Sequence, residues 1–219
     1  MYSAQRDGMT LITQLEVLSP EEQRNVEKIF SGEDVALYRH LGIDSPVYRY
    51  VPLLEHLYVR HPQELTYCVS EVLHHPEWAP RILEFHPIKL TMMEPSFLAA
   101  HPQLLHETLR QDPWMLSKLD VQWRTPDAMR AALEGMRSSL DTMDRTGLQF
   151  AEQVKLIATS APESFWDRDS AHLCARLNPH AVSSLPRLYR EDDRCGNPVH
   201  QVLGLQNPAR PEYFGSCGE

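Results

Sequence analysis

Residues 84–114 read EFHPIKLTMMEPSFLAAHPQLLHETLRQDPW. Two His-Pro pairs and a closing Asp-Pro divide this stretch into short apolar segments. Proline is tolerated in the first turn of a helix, where its missing N–H would be unpaired anyway. The residue before it is driven out of helical geometry. Each X-Pro pair therefore ends one helix and starts the next. Outward from here the spacing is regular: Pro52 to Pro62 is 10 residues, and Pro76 to Pro87 and Pro102 to Pro113 are 11 each. The alternate gaps are 14, 15 and 13, which gives a full period of 24 to 26 residues.

The segments align chemically as well. Leu65, Leu90 and Leu116 each stand three residues after a proline, and each is followed by a hydroxyl residue, Thr66, Thr91 or Ser117. The other half-units each carry an apolar pair and a late leucine, Leu57, Leu83 or Leu109. Such patterns suit short amphipathic helices. A unit this small buries its apolar face only against its neighbours, as in helical hairpin arrays. His61, His75, His86 and His101 share the pre-proline slot, where the imidazole is free to cap a helix or to bond an adjacent turn.

The expected fold is all-α, an irregular stack of short helical hairpins with a repeat of about 25 residues, in a single compact domain of ten to twelve helices. A helical cap covers residues 1–45, and Ser19-Pro20-Glu21-Glu22 forms a capping box within it. The repeat domain spans 46–208, with core repeats at 52–126, longer helices at 126–160 and atypical repeats at 162–208. Residues 209–219 form a loose tail. No Asn-Gly or Asp-Gly hairpin signal argues for strands.

Composition narrows the function classes. The 219 residues carry 30 acidic against 21 basic side chains, a formal charge of −9, which disfavours nucleic acid as a partner. Apolar runs are too short for a transmembrane helix, and the N-terminus does not read as a secretory signal. The expected location is the cytoplasm, or export by a signal-peptide-independent bacterial system. Cys68, Cys174, Cys195 and Cys217 match no zinc spacing and read as reduced thiols. Nine scattered glycines build no phosphate-cradling loop, and no cofactor is expected.

Several constellations invite chemistry. In EDDRCGNPVH (191–200), Arg194 beside Cys195 favours a thiolate, His200 is placed to act as base, and Asp193 or Asp192 to orient it. The acidic pair works against that thiolate, and the plainer expectation is a polar interhelix turn. Arg194 and His200 also match an Arg-x5-His spacing of helical ribonucleases, but Pro198 breaks the helix such a motif needs. His74 with His75, and His101 with His106, lack the i,i+3 or i,i+4 spacing of a helical metal pair, so no metal is expected. In FWDRDS (165–170), Asp167 or Asp169 is expected to cap a helix.

Asp112-Pro113, Trp114, Leu116 and Leu119, then Asn178-Pro179, Ala181 and Leu185, resemble the helical-hairpin repeats of unknown function found in intracellular bacterial effector proteins. The resemblance covers residues 46–208, interrupted at 126–159. His-Pro here stands where those repeats carry an acidic residue before proline. It implies an interaction surface and an effector setting, and brings no catalytic residues with it. The function expected is a non-enzymatic protein–protein interaction module. Trp114 and Trp123 are its expected anchors, and Glu191, Asp192 and Asp193 its acidic patch for another protein. The alternative is a small cysteine-dependent hydrolase or transferase using Cys195 and His200.

Overall fold

The computed structural model describes residues 11–140 and 147–190. They are all-α. Eleven α-helices are seen among them: α1 (Pro20–Ser31), α2 (Leu37–His40), α3 (Val51–Arg60), α4 (Ser70–Leu73), α5 (Trp78–Phe85), α6 (Pro95–Ala100), α7 (Pro102–Gln111), α8 (Pro126–Leu140), α9 (Gly147–Ser160), α10 (Arg168–Leu177) and α11 (Arg187–Arg190). Extended pairing among the described residues is limited to an isolated bridge, Ile12 with Tyr50. None of the described helices is long and apolar enough to cross a membrane. The chain divides between Thr108 and Leu109 into two compact units.

The proline period resolves into a specific unit. An α-helix runs to a pre-proline residue, and a six-residue 3-10 helix follows from the proline itself: Pro62–Tyr67, Pro87–Met92, Pro113–Lys118 and Pro179–Ser184. The second half of each hairpin is thus a 3-10 helix, where the leucine spacing alone suggested amphipathic α-helix. Short 3-10 pieces are frequent as connectors between α-helices. The pre-proline residues share a non-helical backbone, from φ −142°, ψ 54° at His61 to φ −147°, ψ 99° at Asn178. In a 3-10 helix residues i and i+3 eclipse. Proline and the leucine three positions later therefore share an edge, and Leu65, Leu90 and Leu116 are fully buried on it.

In the first unit the period returns as physical links between successive repeats. Arg39 pairs bidentately with Glu64, at 2.7 and 2.5 Å across 25 residues. The Tyr58 hydroxyl donates to Glu84 across 26 residues, and Arg81 donates to Glu55 across 26. His86 Nε2 lies 2.9 Å from the carbonyl oxygen of Pro62, 24 residues back, and holds one 3-10 start beside the previous one. The His-Pro histidines take separate roles. His75 Nδ1 accepts from the Glu77 N–H, while His101 packs on Phe97 and His61 on His56. His74, outside that slot, accepts the Glu94 N–H through Nε2 at the start of α6.

The expected Ser19 capping box is present: Glu22 N–H donates to Ser19 Oγ at 3.3 Å, and Ser19 N–H to Glu22 Oε2 at 2.8 Å. Helix α1 closes on Gly32 at φ 76°, a left-handed position that glycine adopts without penalty. His56, on α3, buries its Nε2 without a hydrogen-bond partner, beside Phe30 and His61. Burial, then the nearby His61 and Arg60, hold its pKa below the ordinary value of 6.5. The unfolded chain therefore takes up this proton more readily than the folded one. The stability tied to neutral His56 is complete above about pH 6.5 and is lost as pH falls below it. Urea midpoints at about pH 7.5 and 5 should show a smaller acid loss in His56→Phe than in the parent protein.

The second unit packs α8, α9 and α10 around the 3-10 helices Pro113–Lys118 and Pro179–Ser184. Asp112 and Thr125 cap as expected, accepting from Trp114 N–H and Ala128 N–H. Arg124 donates to the carbonyls of Leu119 and Ser117, satisfying the end of the 3-10 turn. Asn178 donates to the Ala151 carbonyl across 27 residues, and Arg110 pairs with Glu134 across 24, so the period persists here. Helix α8 passes so close to Arg110 that a Cβ on Gly135 would stand 2.4 Å from its carbonyl oxygen. Alanine ordinarily stabilises a helix relative to glycine. Here Gly135→Ala should cost about 1–3 kcal/mol in chemical denaturation, because backbone must move to admit the methyl.

Candidate functional site: an exposed apolar edge on an acidic unit

The 3-10 phase that buries the third residue after proline leaves the first and fifth facing outward. In the first unit these positions are Gln63 and Tyr67 in one repeat and Ile88 and Met92 in the next. Tyr67 is 45% exposed, Ile88 52% and Met92 61%. Phe85, at the end of α5, is also exposed and meets Tyr58 edge-on at 5.7 Å. The His86–Pro62 bond sets the two 3-10 starts side by side, so Ile88 stands one repeat along from Gln63, and Met92 one repeat along from Tyr67.

This edge belongs to the acidic part of the chain. Residues 11–108 carry 14 acidic and 7 basic side chains, whereas residues 109–190 carry 10 and 11. Several of the basic groups are already committed. Arg39 is held by Glu64 and lies over the Tyr67 ring at 5.3 Å. Arg81 is held by Glu55 and lies over Trp78 and Tyr58. An exposed apolar row set in a negative field suits a segment that offers both apolar and cationic side chains.

Of the anchors expected from sequence, Trp114 occupies in the second unit the position that Ile88 holds in the first. It is half-buried, with Lys118 Nζ 5.2 Å from the ring centroid. Trp123 is half-buried in the short 3-10 turn Val121–Trp123. Glu191, Asp192, Asp193, Cys195 and His200 lie outside the described residues. Of the four cysteines, burial pushes the Cys68 thiol up to about 11 and the Cys174 thiol up to about 12, so neither is a nucleophile at neutral pH. Among the described residues, no three His, Cys, Asp or Glu side chains gather into a possible metal-binding group. Of the FWDRDS pair, Asp167 is the cap: it accepts from Ser170 N–H at 2.7 Å and Ser170 Oγ at 2.8 Å, which holds its carboxyl below the ordinary carboxylate value.

Tyr67, Ile88 and Met92 escaped the sequence reading because it followed the leucines that recur after each proline and not the residues turned away from them. The signal was nevertheless present: the positions two residues before and after a buried leucine turn away from it in an α-helix and in a 3-10 helix alike. Compared with known proteins, the chain matches no family model, no curated protein and no solved structure.

Proposed function

We propose that the protein is a non-enzymatic protein-interaction module whose first unit grips a basic, apolar-anchored segment of another protein. The exposed row Tyr67, Ile88 and Met92, repeated on successive 3-10 helices of an acidic unit, carries this reading. Apolar side chains presented at a fixed repeat interval match anchors spaced along a partner segment. The surrounding carboxylates favour lysine and arginine flanks and oppose a nucleic-acid backbone. A bacterial effector or a comparable regulatory role is the setting suggested by the repeat resemblance.

The test is affinity capture from lysates by the parent protein and by Ile88→Asp/Met92→Asp. Both positions are exposed, so helicity by circular dichroism should be unchanged. The expected result is a protein captured by the parent, reduced tenfold or more on the variant and released by raised salt, with its bound segment rich in Lys or Arg. Equal retention by parent and variant, or a bound segment that is acidic, overturns the proposal.

A further inference from the structure

Helices α8 and α10 enclose a cleft of about 400 Å³ within the second unit. Its walls are two matching helical stripes. Arg130, Leu133, Glu134 and Arg137 stand at i, i+3, i+4 and i+7 on α8. Asp169, His172, Leu173 and Arg176 stand at the same spacing on α10. That spacing puts each set on one helix face. Each stripe has leucine near its middle and arginine at its C-terminal end.

The charges divide into committed and free. Glu134 is taken by Arg110 at 2.8 Å. Asp167, also in the wall, is taken by the N-cap of α10. Arg130 faces Asp127 at 3.5 Å and stands over the Phe165 ring. Among the described residues, the side chains of Arg137 and Arg176 make no hydrogen bond or ion pair, nor has Asp169 a cationic partner. His172 adds a second observation: its Nε2 is buried and makes no hydrogen bond. A buried polar atom without a partner is rare in a folded protein and calls for one.

We propose that this cleft binds a small ligand through a carboxylate or phosphate group held by Arg137 and Arg176, with His172 Nε2 as a further polar contact. The guanidinium fork matches either oxyanion bidentately. The volume lies in the range of small-molecule sites, and Leu133 and Leu173 supply an apolar wall for the ligand's body. Asp169 disfavours a ligand that is anionic throughout, so the oxyanion occupies one end of a larger molecule.

Calorimetric titration of the full chain with phenyl phosphate and, separately, with benzoate, each an oxyanion at one end of an apolar body, tests the site, with ionic strength matched by sodium chloride. Saturable binding of at least one is expected, weakened tenfold or more by Arg137→Gln and by Arg176→Gln. Arg168→Gln, on α10 but outside the cleft, should leave it unchanged. Phenyl phosphate alone binding assigns a phosphate ligand, and benzoate alone a carboxylate. No saturable binding by either, or binding indifferent to both cleft variants, overturns the site. Thermal melts in sodium chloride alone establish that each variant is folded.

Discussion

Arg39→Ala should lower the stability of the first unit strongly, one of the two largest single-site effects expected in the molecule. The cause lies in the partner. The Glu64 side chain is 3% exposed and its carboxylate is gripped by both faces of the Arg39 fork, so truncation strands a buried charge. Arg39 itself is 41% exposed, so water reaches part of the site and keeps the loss below that of a fully buried pair. A control separates this from lost packing. Arg39→Met combined with Glu64→Leu should recover most of the stability, since an apolar pair carries no desolvation cost. Urea denaturation at neutral pH reads both variants. A deficit unrelieved in the double variant would mean that packing alone is responsible.

Leu90→Ala should cost about 2–5 kcal/mol by the same measurement. Leu90 is 1% exposed and fills the eclipsed edge of its 3-10 helix beside Pro87. Two residues earlier, Ile88 is similar in size and half exposed, so Ile88→Ala should change stability by less than about 0.5 kcal/mol. Equal losses at the two positions would contradict the 3-10 phase. Leu65 and Leu116 occupy the equivalent place in their own repeats and should respond as Leu90 does.

The all-α class and the 24–26-residue interval were legible because proline acts through local sterics that no tertiary context overrides. Ser19, Asp112, Thr125 and Asp167 were legible for the same reason: an N-cap is a contact between residues two or three apart. Helix α8 was legible from Thr125-Pro126 and the unbroken run that follows. The 3-10 halves were not, because a buried leucine after proline suits either helix type. The Arg39–Glu64, Tyr58–Glu84 and Arg81–Glu55 links were not legible either, since each requires two repeats to be stacked in register before the partners meet. The cleft between α8 and α10 has a partial signal in the i, i+3, i+4, i+7 stripes. A stripe of Arg, Leu and Glu is ordinary on any exposed helix face, and only the facing of α8 by α10 turns it into a cavity. Glutamate at 64 would be assigned to solvent by its type, yet it is buried by the repeat that precedes it.

On the proposed surface, the residues that hold the stack are distinct from those that would read a partner. Leu65, Leu90, Glu64 and His86 face inward or along the stack and set the position of each 3-10 helix. Tyr67, Ile88 and Met92 face outward and are each about half exposed. Substitution on the outward edge should therefore change partner choice with little change in stability, which is how helical repeat arrays diversify their binding.

The most direct measurement is hydrogen–deuterium exchange of the full chain, alone and bound to the protein recovered by capture. Binding at the proposed face predicts slowed exchange concentrated in residues 62–67 and 84–92, with the same segments unprotected when Ile88→Asp/Met92→Asp is mixed with that protein. Protection confined to other segments, with 62–67 and 84–92 exchanging as in the free chain, would contradict it.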